Sequence, residues 1–143
     1  MAEGDITFYN NFKEALLAGD APDLDADTIK VALLSGHTPD IDAHDFWNDV
    51  SGDEISGTGY TAGGETLGTK SISQDNTDDE GVFDAGDVTW SGLDAGTPSH
   101  GIIYHDTGTP STSTLICYIE ISTPSNGGDY TLQWAAEGII NVN

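Results

Sequence analysis

The glycine-rich segment at residues 54–64 contains the pattern Gly57-x-Gly59-x-x-Ala62, which matches the fingerprint of dinucleotide-binding loops. That fingerprint holds a pyrophosphate only where a helix begins directly after the glycines, because the helix N-terminus binds the anion. Two further glycines follow here, and glycine is a poor helix former. We therefore interpret the segment as one that shapes turns or close backbone approaches. Its structural residues are Gly57, Gly59, Gly63, Gly64 and, as the anchor to the core, Tyr60.

Alternating carboxylates at Asp23, Asp25 and Asp27 imitate the start of a calcium-binding loop, in which such oxygens surround a hard cation. An EF-hand is excluded, because Thr28 stands where the turn glycine is needed and Leu34 where the bidentate glutamate is needed. The default interpretation is a solvated acidic loop. A looser calcium or sodium site at the three aspartates stays open as the alternative, and no cofactor is expected.

Histidines at positions 37, 44, 100 and 105 could be gathered to bind zinc, but no pair has the spacing of a helical metal motif. We interpret them as surface or satisfied core residues, and the single Cys117 as a small core residue. No Gly-x-Ser-x-Gly elbow accompanies the serines and histidines. Paired carboxylates cannot be singled out among 25 acids. We expect no catalytic residues and no enzymatic activity.

Three tryptophans could stack on sugars if they lined one exposed face of the protein. They are Trp47, Trp90 and Trp134. Each lies in a segment with an apolar pattern, so core packing is the favoured interpretation.

The charge of the chain is its strongest compositional feature: three lysines and no arginine oppose 25 acidic residues, for a net charge of −22. At about 1 M ionic strength the Debye length is about 3 Å, so surface carboxylates barely repel one another. The composition therefore indicates a molar-salt environment, with an acidic protein from a mesophile as the alternative. Scarce basic residues also argue against nucleic acid and anionic membranes as partners. No secretory signal and no membrane span are recognised.

These residues must be positioned by a mainly β (α+β) domain. Residues 6–18 have helical spacing, with Phe8, Phe12 and Leu16 as the buried stripe and Gly19 at the end. A strand is predicted at 28–34, and a second short helix at 43–50, capped by an aspartate at position 40 or 42.

From residue 55 onward, short apolar runs alternate with turn residues, which predicts an antiparallel β-sandwich or a barrel-like domain. The predicted strands lie near 55–62, 67–74, 80–84, 87–91, 100–106, 114–121, 129–135 and 138–142. Residues 115–121 are apolar on both faces and are predicted as the central strand. We expect one domain over 1–143, with a helix-containing part at about 1–52 and a β-rich part at about 53–143.

Four blocks of the chain resemble, in order and spacing, the small virion structural proteins that tailed phages and haloarchaeal tailed viruses encode. The blocks are residues 8–17, 27–33, 56–64 and 82–90, and the likeness continues through 95–106 and 134–142. The resemblance implies a structural role in the particle, as a capsid decoration or cement protein whose partner is the major capsid protein. It carries no catalytic signature.

Charge then indicates where in the particle such a protein would lie. A chain with a net charge of −22 is repelled by packaged DNA, whereas brine screens it on the outer capsid surface. We expect assembly in the host cytoplasm and a cyclic homo-oligomer, with a trimer favoured, because decoration sites lie on symmetry axes. The alternative role is a turret, fibre or tail module that binds host glycans.

Overall fold

The computed structural model describes residues 5–143, which form ten β-strands and two short α-helices. Every strand pairing is antiparallel, so the prediction of a mainly β chain is confirmed. The elements in chain order are β1 (Thr7–Phe8), α1 (Asn10–Ala18), β2 (Ile29–Leu34), α2 (Trp47–Val50), a 3-10 turn (Ser51–Asp53), β3 (Glu65–Thr66), β4 (Ser71–Asp75), β5 (Glu80–Asp84), β6 (Val88–Trp90), β7 (His100–His105), β8 (Leu115–Glu120), β9 (Tyr130–Leu132) and β10 (Ile140–Val142).

The largest sheet has five strands in the order β1-β8-β7-β2-β3. Its central strand is β7, and not β8 as the sequence predicts. A run that is apolar on both faces signals burial on both faces, and this sheet has three such strands, β2, β7 and β8. The pattern therefore identified the buried strands but could not rank them.

The inner face of the five-stranded sheet packs against two smaller sheets, β10-β5-β4 and β6-β9. Ile29, Val31 and Leu33 of β2 belong to the same buried cluster as Trp90 of β6 and Leu132 of β9. Burying one such side chain contributes about 1.5–3 kcal/mol. The core therefore lies between layers, as in a β-sandwich, and it joins residues from both predicted parts of the chain.

The outer face of the same sheet is also covered. Ala32 and Leu34 of β2 and Ile102 of β7 form a second buried cluster with Trp47 and Val50 of α2. Alternate residues of β2 thus point into two different clusters, which explains why its sequence is almost continuously apolar.

The N-terminal helix is shorter than predicted, because Thr7 and Phe8 leave the helical pattern and pair with Tyr118 and Cys117 of β8. Gly19 ends the helix in the left-handed conformation (φ 79°), as predicted. The predicted stripe is wrong in its last member. Phe12 is buried and Phe8 is half-buried, but Leu16 is 47% exposed.

The second helix is a single turn that starts at Trp47, four residues later than predicted. Asp40 does not cap it. Its carboxylate instead accepts hydrogen bonds from the backbone N–H groups of Asp42 and Ala43, at 3.1 Å each, and closes a separate turn. At the helix itself, Asp49 accepts from the N–H of Phe46 at 3.0 Å. Such side-chain bonds satisfy N–H groups that a helix start leaves free.

The predicted strand at 55–62 is absent. This stretch is irregular, and its only bridges are the isolated pairs Leu34 to Glu54, at its start, and Thr58 to Asp94. The Ile55 N–H also donates to the Leu33 carbonyl of β2 at 3.0 Å. The predicted strand at 67–74 begins at Ser71, and the last two predicted strands are shorter than expected. The strand predicted at 80–84 is confirmed with the same bounds.

Candidate functional site

The glycine-rich segment is held by a carboxylate that the sequence interpretation missed. Glu54 Oε1 accepts a hydrogen bond from the Tyr60 hydroxyl at 2.8 Å and another from the Gly63 N–H at 2.6 Å. The Tyr60 oxygen in turn accepts from the Leu33 N–H of β2 at 3.0 Å. The Tyr104 hydroxyl of β7 donates to the Gly63 carbonyl at 2.7 Å. The segment is thus tied to two neighbouring strands, and Tyr60 is its anchor.

Three glycines of this segment lie where a side chain would collide with another backbone. A Cβ on Gly64 would lie 2.0 Å from the Val31 carbonyl oxygen, although real Cβ atoms stay beyond about 3.0 Å. A Cβ on Gly57 would lie 2.5 Å from the carbonyl oxygen of Asp94, and one on Gly59 would lie 2.6 Å from that of Gly92. The glycines therefore permit close packing of chain segments.

No helix follows the glycines, because the next element is strand β3. The segment therefore offers no helix N-terminus to a phosphate. Gly63 lies beside the core, where a Cβ would lie 3.4 Å from the Tyr104 hydroxyl oxygen.

The aspartates at 23, 25 and 27 do not converge on a cation position. Asp23 Oδ1 accepts from the N–H groups of Asp25 and Ala26, at 3.1 Å each, and Asp27 Oδ2 accepts from the N–H of Asp23 at 2.9 Å. Two of the three carboxylates therefore close a local turn. His105 is also near, with its Nε2 3.9 Å from Asp27 Oδ2.

A tighter carboxylate group occurs elsewhere, in the β4-β5 hairpin. Ligand oxygens of Asp75, Asp78 and Glu80 lie within 4.8 Å of one another. Asp75 Oδ1 already accepts from the N–H groups of Thr77 and Asp78, at 2.8 and 3.2 Å. The group shapes the hairpin turn, and nothing in its geometry indicates more than that.

Three of the four histidines meet in space. The ring of His37 lies 5.5 Å from that of His44 and 5.6 Å from that of His100, measured between centroids. His37 and His100 are buried, and His37 Nδ1 lies 2.8 Å from Asp53 Oδ2. Burial and the neighbouring His37 lower the pKa of His100. The loop before α2, which carries His37 and His44, and the first residue of β7, His100, bring these rings together. No local spacing in the sequence could have indicated it.

The three tryptophans are buried, so the core-packing interpretation is confirmed: Trp47 is 7% exposed, Trp90 1% and Trp134 6%. Trp47 stacks on Tyr104 with centroids 4.4 Å apart. The indole N–H of Trp134 donates to the Gly86 carbonyl at 3.0 Å. None of the three presents a ring face to solvent for sugar stacking.

All three lysines are engaged within the chain. Lys30 Nζ forms an ion pair with Asp106 Oδ2 at 2.8 Å, and Lys70 donates to the Asp27 carbonyl. Lys13 donates to Asn10 Oδ1 at 3.1 Å. The hydrogen bond from Lys30 lowers the pKa of Asp106. The surface therefore offers no cluster of basic side chains, which phosphate-binding surfaces need.

Large apolar side chains are exposed at two places. The last turn of α1 carries Leu16, 47% exposed, and Leu17, 93% exposed. On the three-stranded sheet, Ile72 of the outer strand β4 is 58% exposed, although its ladder partner Phe83 is buried. Ile72 and Phe83 lie on the same face of the sheet, and the core covers this face at β5 but leaves it exposed at β4. Val142 at the end of β10 is 55% exposed.

No protein-family model, no curated protein and no solved structure matches this chain. Among residues 5–143, no helix has the length and apolar character needed to cross a bilayer.

Proposed function

We propose that this protein is a non-enzymatic decoration or cement protein on the outer capsid of a tailed virus with a halophilic host. It binds the major capsid protein and stabilises the shell by bridging its subunits. The observation that carries the proposal is the adjacent pair Leu16 and Leu17, exposed on a chain whose net charge is −22. Carboxylates keep such a chain soluble, whereas exposed apolar side chains gain free energy only when a partner covers them.

The contact with the capsid would be adhesive. Helix α1 and the exposed edge of the three-stranded sheet, with Ile72 on β4, supply apolar side chains that a protein partner can bury. A partner that covered both places would gain about 25 cal/mol for each Å² of apolar surface removed from water. Such contacts are individually modest, so a cyclic oligomer on a capsid symmetry axis, with a trimer favoured, would gain avidity by engaging several subunits.

The outer surface is the favoured location. Packaged DNA on the inner wall would repel the 25 acidic residues, and all three lysines are already engaged within the chain. Outside the shell, brine screens the same charges, because the Debye length is only about 3 Å at 1 M salt.

A glycan-binding turret, fibre or tail module is the alternative role, and it requires exposed aromatic rings. The three tryptophans that would supply them are at most 7% exposed. This observation favours the adhesive role over the glycan-binding one.

The test is the composition and structure of purified particles. Cryo-electron microscopy in molar salt is expected to locate the protein on the outer capsid lattice, in a copy number tied to that of the major capsid protein. A few copies at the tail, or no copies in the particle, would refute the proposal.

A matched pair of variants then tests the contact itself. Leu17→Asp is expected to reduce binding to stripped capsids at least tenfold, because it places a charge where an apolar side chain is buried. Ala18→Asp adds the same charge at the next exposed position and removes no large apolar group, so its binding should change much less. Equal binding by wild type and Leu17→Asp would exclude α1 as the contact.

A further inference from the structure

Among residues 5–143, β4 is the longest strand that lies at the edge of a sheet. The edges of the three sheets are formed by β1, β3, β4, β6, β9 and β10. Strand β4 has five residues, whereas each of the others has two or three. Its strand partner is β5 alone. Alternate residues of an antiparallel strand direct their N–H and C=O groups to opposite sides, so a row of these groups on β4 points away from β5.

This edge lacks the features that usually prevent a strand from pairing with another chain. Those features are prolines, lysines, β-bulges and covering segments. The segment Ser71–Asp75 contains no proline and no lysine, and its first four residues are exposed. Its register with β5 has no shift, so no bulge is present. The edge is therefore open to a further strand.

The side chains of β4 indicate what a further strand must carry. Ile72 lies opposite Phe83 of β5, which lies opposite Ile140 of β10, so the three form one row across the sheet. Phe83 and Ile140 are each 3% exposed, whereas Ile72 is 58% exposed. An apolar side chain opposite Ile72 on an added strand would extend this row and cover Ile72.

The charge at the β4-β5 turn indicates which chain the added strand belongs to. Asp75, Asp78 and Glu80 hold carboxylate oxygens within 4.8 Å of one another. In molar salt these charges favour a basic side chain only in direct contact, because the Debye length is about 3 Å. A second copy does not supply such a side chain, since its three lysines are engaged within their own chain. The complementary strand therefore belongs to a different protein.

We propose that the open edge of β4 binds an extended segment of the major capsid protein as an added strand. The segment carries an apolar residue opposite Ile72 and a lysine or arginine at the end that meets the β4-β5 turn. In this binding mode, backbone hydrogen bonds supply affinity and alternate side chains supply specificity. The identity of the partner rests on the proposed function, whereas the chemistry of the segment follows from β4.

Hydrogen exchange of the wild-type protein tests the added strand directly. Free protein and protein bound to stripped capsids are exchanged in molar salt, released, and read residue by residue by NMR. In the free protein, β5 protects alternate amides of β4 and the others exchange freely. Binding should slow the exchange of this second set at least tenfold. Unchanged exchange of these amides in the bound protein would overturn the proposal.

A matched pair of variants tests the apolar contact. Ile72→Asp should weaken binding to stripped capsids at least tenfold. Val142→Asp makes the same change at a residue that is 55% exposed on the opposite edge of the same sheet, and its binding should change less than twofold. Circular dichroism verifies that both variants fold. Wild-type binding by Ile72→Asp, or equal losses in the two variants, would overturn the proposal.

A second pair tests the basic residue of the segment. Asp78→Lys and Asp129→Lys change the net charge equally, and both positions are exposed. Only Asp78 lies at the β4-β5 turn, so Asp78→Lys should weaken binding at least threefold more than Asp129→Lys. Equal effects would contradict a basic residue at this end of the segment.

Two further outcomes separate this proposal from the proposed function. Wild-type protein that does not bind capsids at all would refute the proposed function and with it the partner named here. Capsid binding that is unchanged in Ile72→Asp would refute the added strand alone. Light scattering of the free protein tests a second copy as the occupant. An oligomer that Ile72→Asp dissociates would overturn the proposal, and an unchanged oligomeric state is expected.

Discussion

The Tyr60 hydroxyl joins the glycine-rich segment to strand β2 of the five-stranded sheet, because it donates to Glu54 Oε1 at 2.8 Å and accepts from the Leu33 N–H at 3.0 Å. Burial raises the pKa of Tyr60. One phenol oxygen thus satisfies both a strand N–H and a partly buried carboxylate, and the carboxylate also holds the Gly63 N–H.

Tyr60→Phe should lower the free energy of unfolding by about 1–3 kcal/mol, because it leaves the Leu33 N–H and one Glu54 interaction without a partner. Urea unfolding in molar salt measures the change. Tyr118→Phe is the control: it removes the hydroxyl of a half-buried tyrosine, and the change should be below about 1 kcal/mol. Equal effects of the two variants would show that the Tyr60 hydroxyl contributes nothing specific.

Gly64→Ala should prevent folding or destabilise the protein by more than about 3 kcal/mol, since its Cβ would lie 2.0 Å from the Val31 carbonyl oxygen. Gly19→Ala is a matched control with the same φ of 79° and open space around the added methyl group. This variant should lower the free energy of unfolding by only about 1–2 kcal/mol, which is the strain of an alanine in the left-handed conformation. Thermal unfolding monitored by circular dichroism compares the two, and similar melting temperatures would contradict the close approach at Gly64.

Asp106 should contribute a stabilisation that acid removes. The hydrogen bond from Lys30 lowers its folded-state pKa, so the contribution is present above the unfolded value near 4 and is lost as the pH falls through the folded value. Asp106→Asn should therefore be less stable than wild type at pH 7, by about 0.5–1 kcal/mol for this partly exposed pair, and the difference should vanish at low pH.

The exposed Asp129→Asn provides the reference for Asp106. Asp129 has no ion-pair partner among residues 5–143, so this variant should change the free energy of unfolding at pH 7 by less than about 0.5 kcal/mol. Urea unfolding at a series of pH values gives both curves, and a pH-independent effect of Asp106→Asn would contradict the ion pair.

Lowering the ionic strength from about 1 M to about 0.1 M lengthens the Debye length from about 3 Å to about 10 Å. The 25 acidic residues then repel one another, and the unfolding temperature should fall. Combining Asp78→Asn with Asp79→Asn should reduce this salt dependence, because it removes two adjacent exposed charges. Identical circular dichroism and melting in molar salt and dilute buffer would count against adaptation to salt.

Much of the strand pattern could be predicted from local sequence. The strand at 80–84 was predicted with its full bounds, and β2, β6 and β7 to within one residue at each end. Alternation and turn residues carry this information, because side chains alternate between the two faces of a strand. Tryptophan burial followed from the same patterns.

The predictions from sequence are wrong where long-range contacts override the local structural preference of a segment. Thr7 and Phe8 have helical spacing with Phe12 but pair with β8, and the segment at 55–62 is irregular because its glycines approach other backbones. Local propensity is weak compared with tertiary packing and backbone pairing.

A mainly β chain, an acidic surface with few basic groups and a glycine-rich segment that shapes the fold could all be predicted from local sequence. The positions of β7 as the central strand and of Glu54 against the glycine segment depend on packing between distant parts of the chain. So does the contact between His37 and His100. Periodicity reports which face of an element is buried, whereas the identity of the neighbour depends on how distant segments pack.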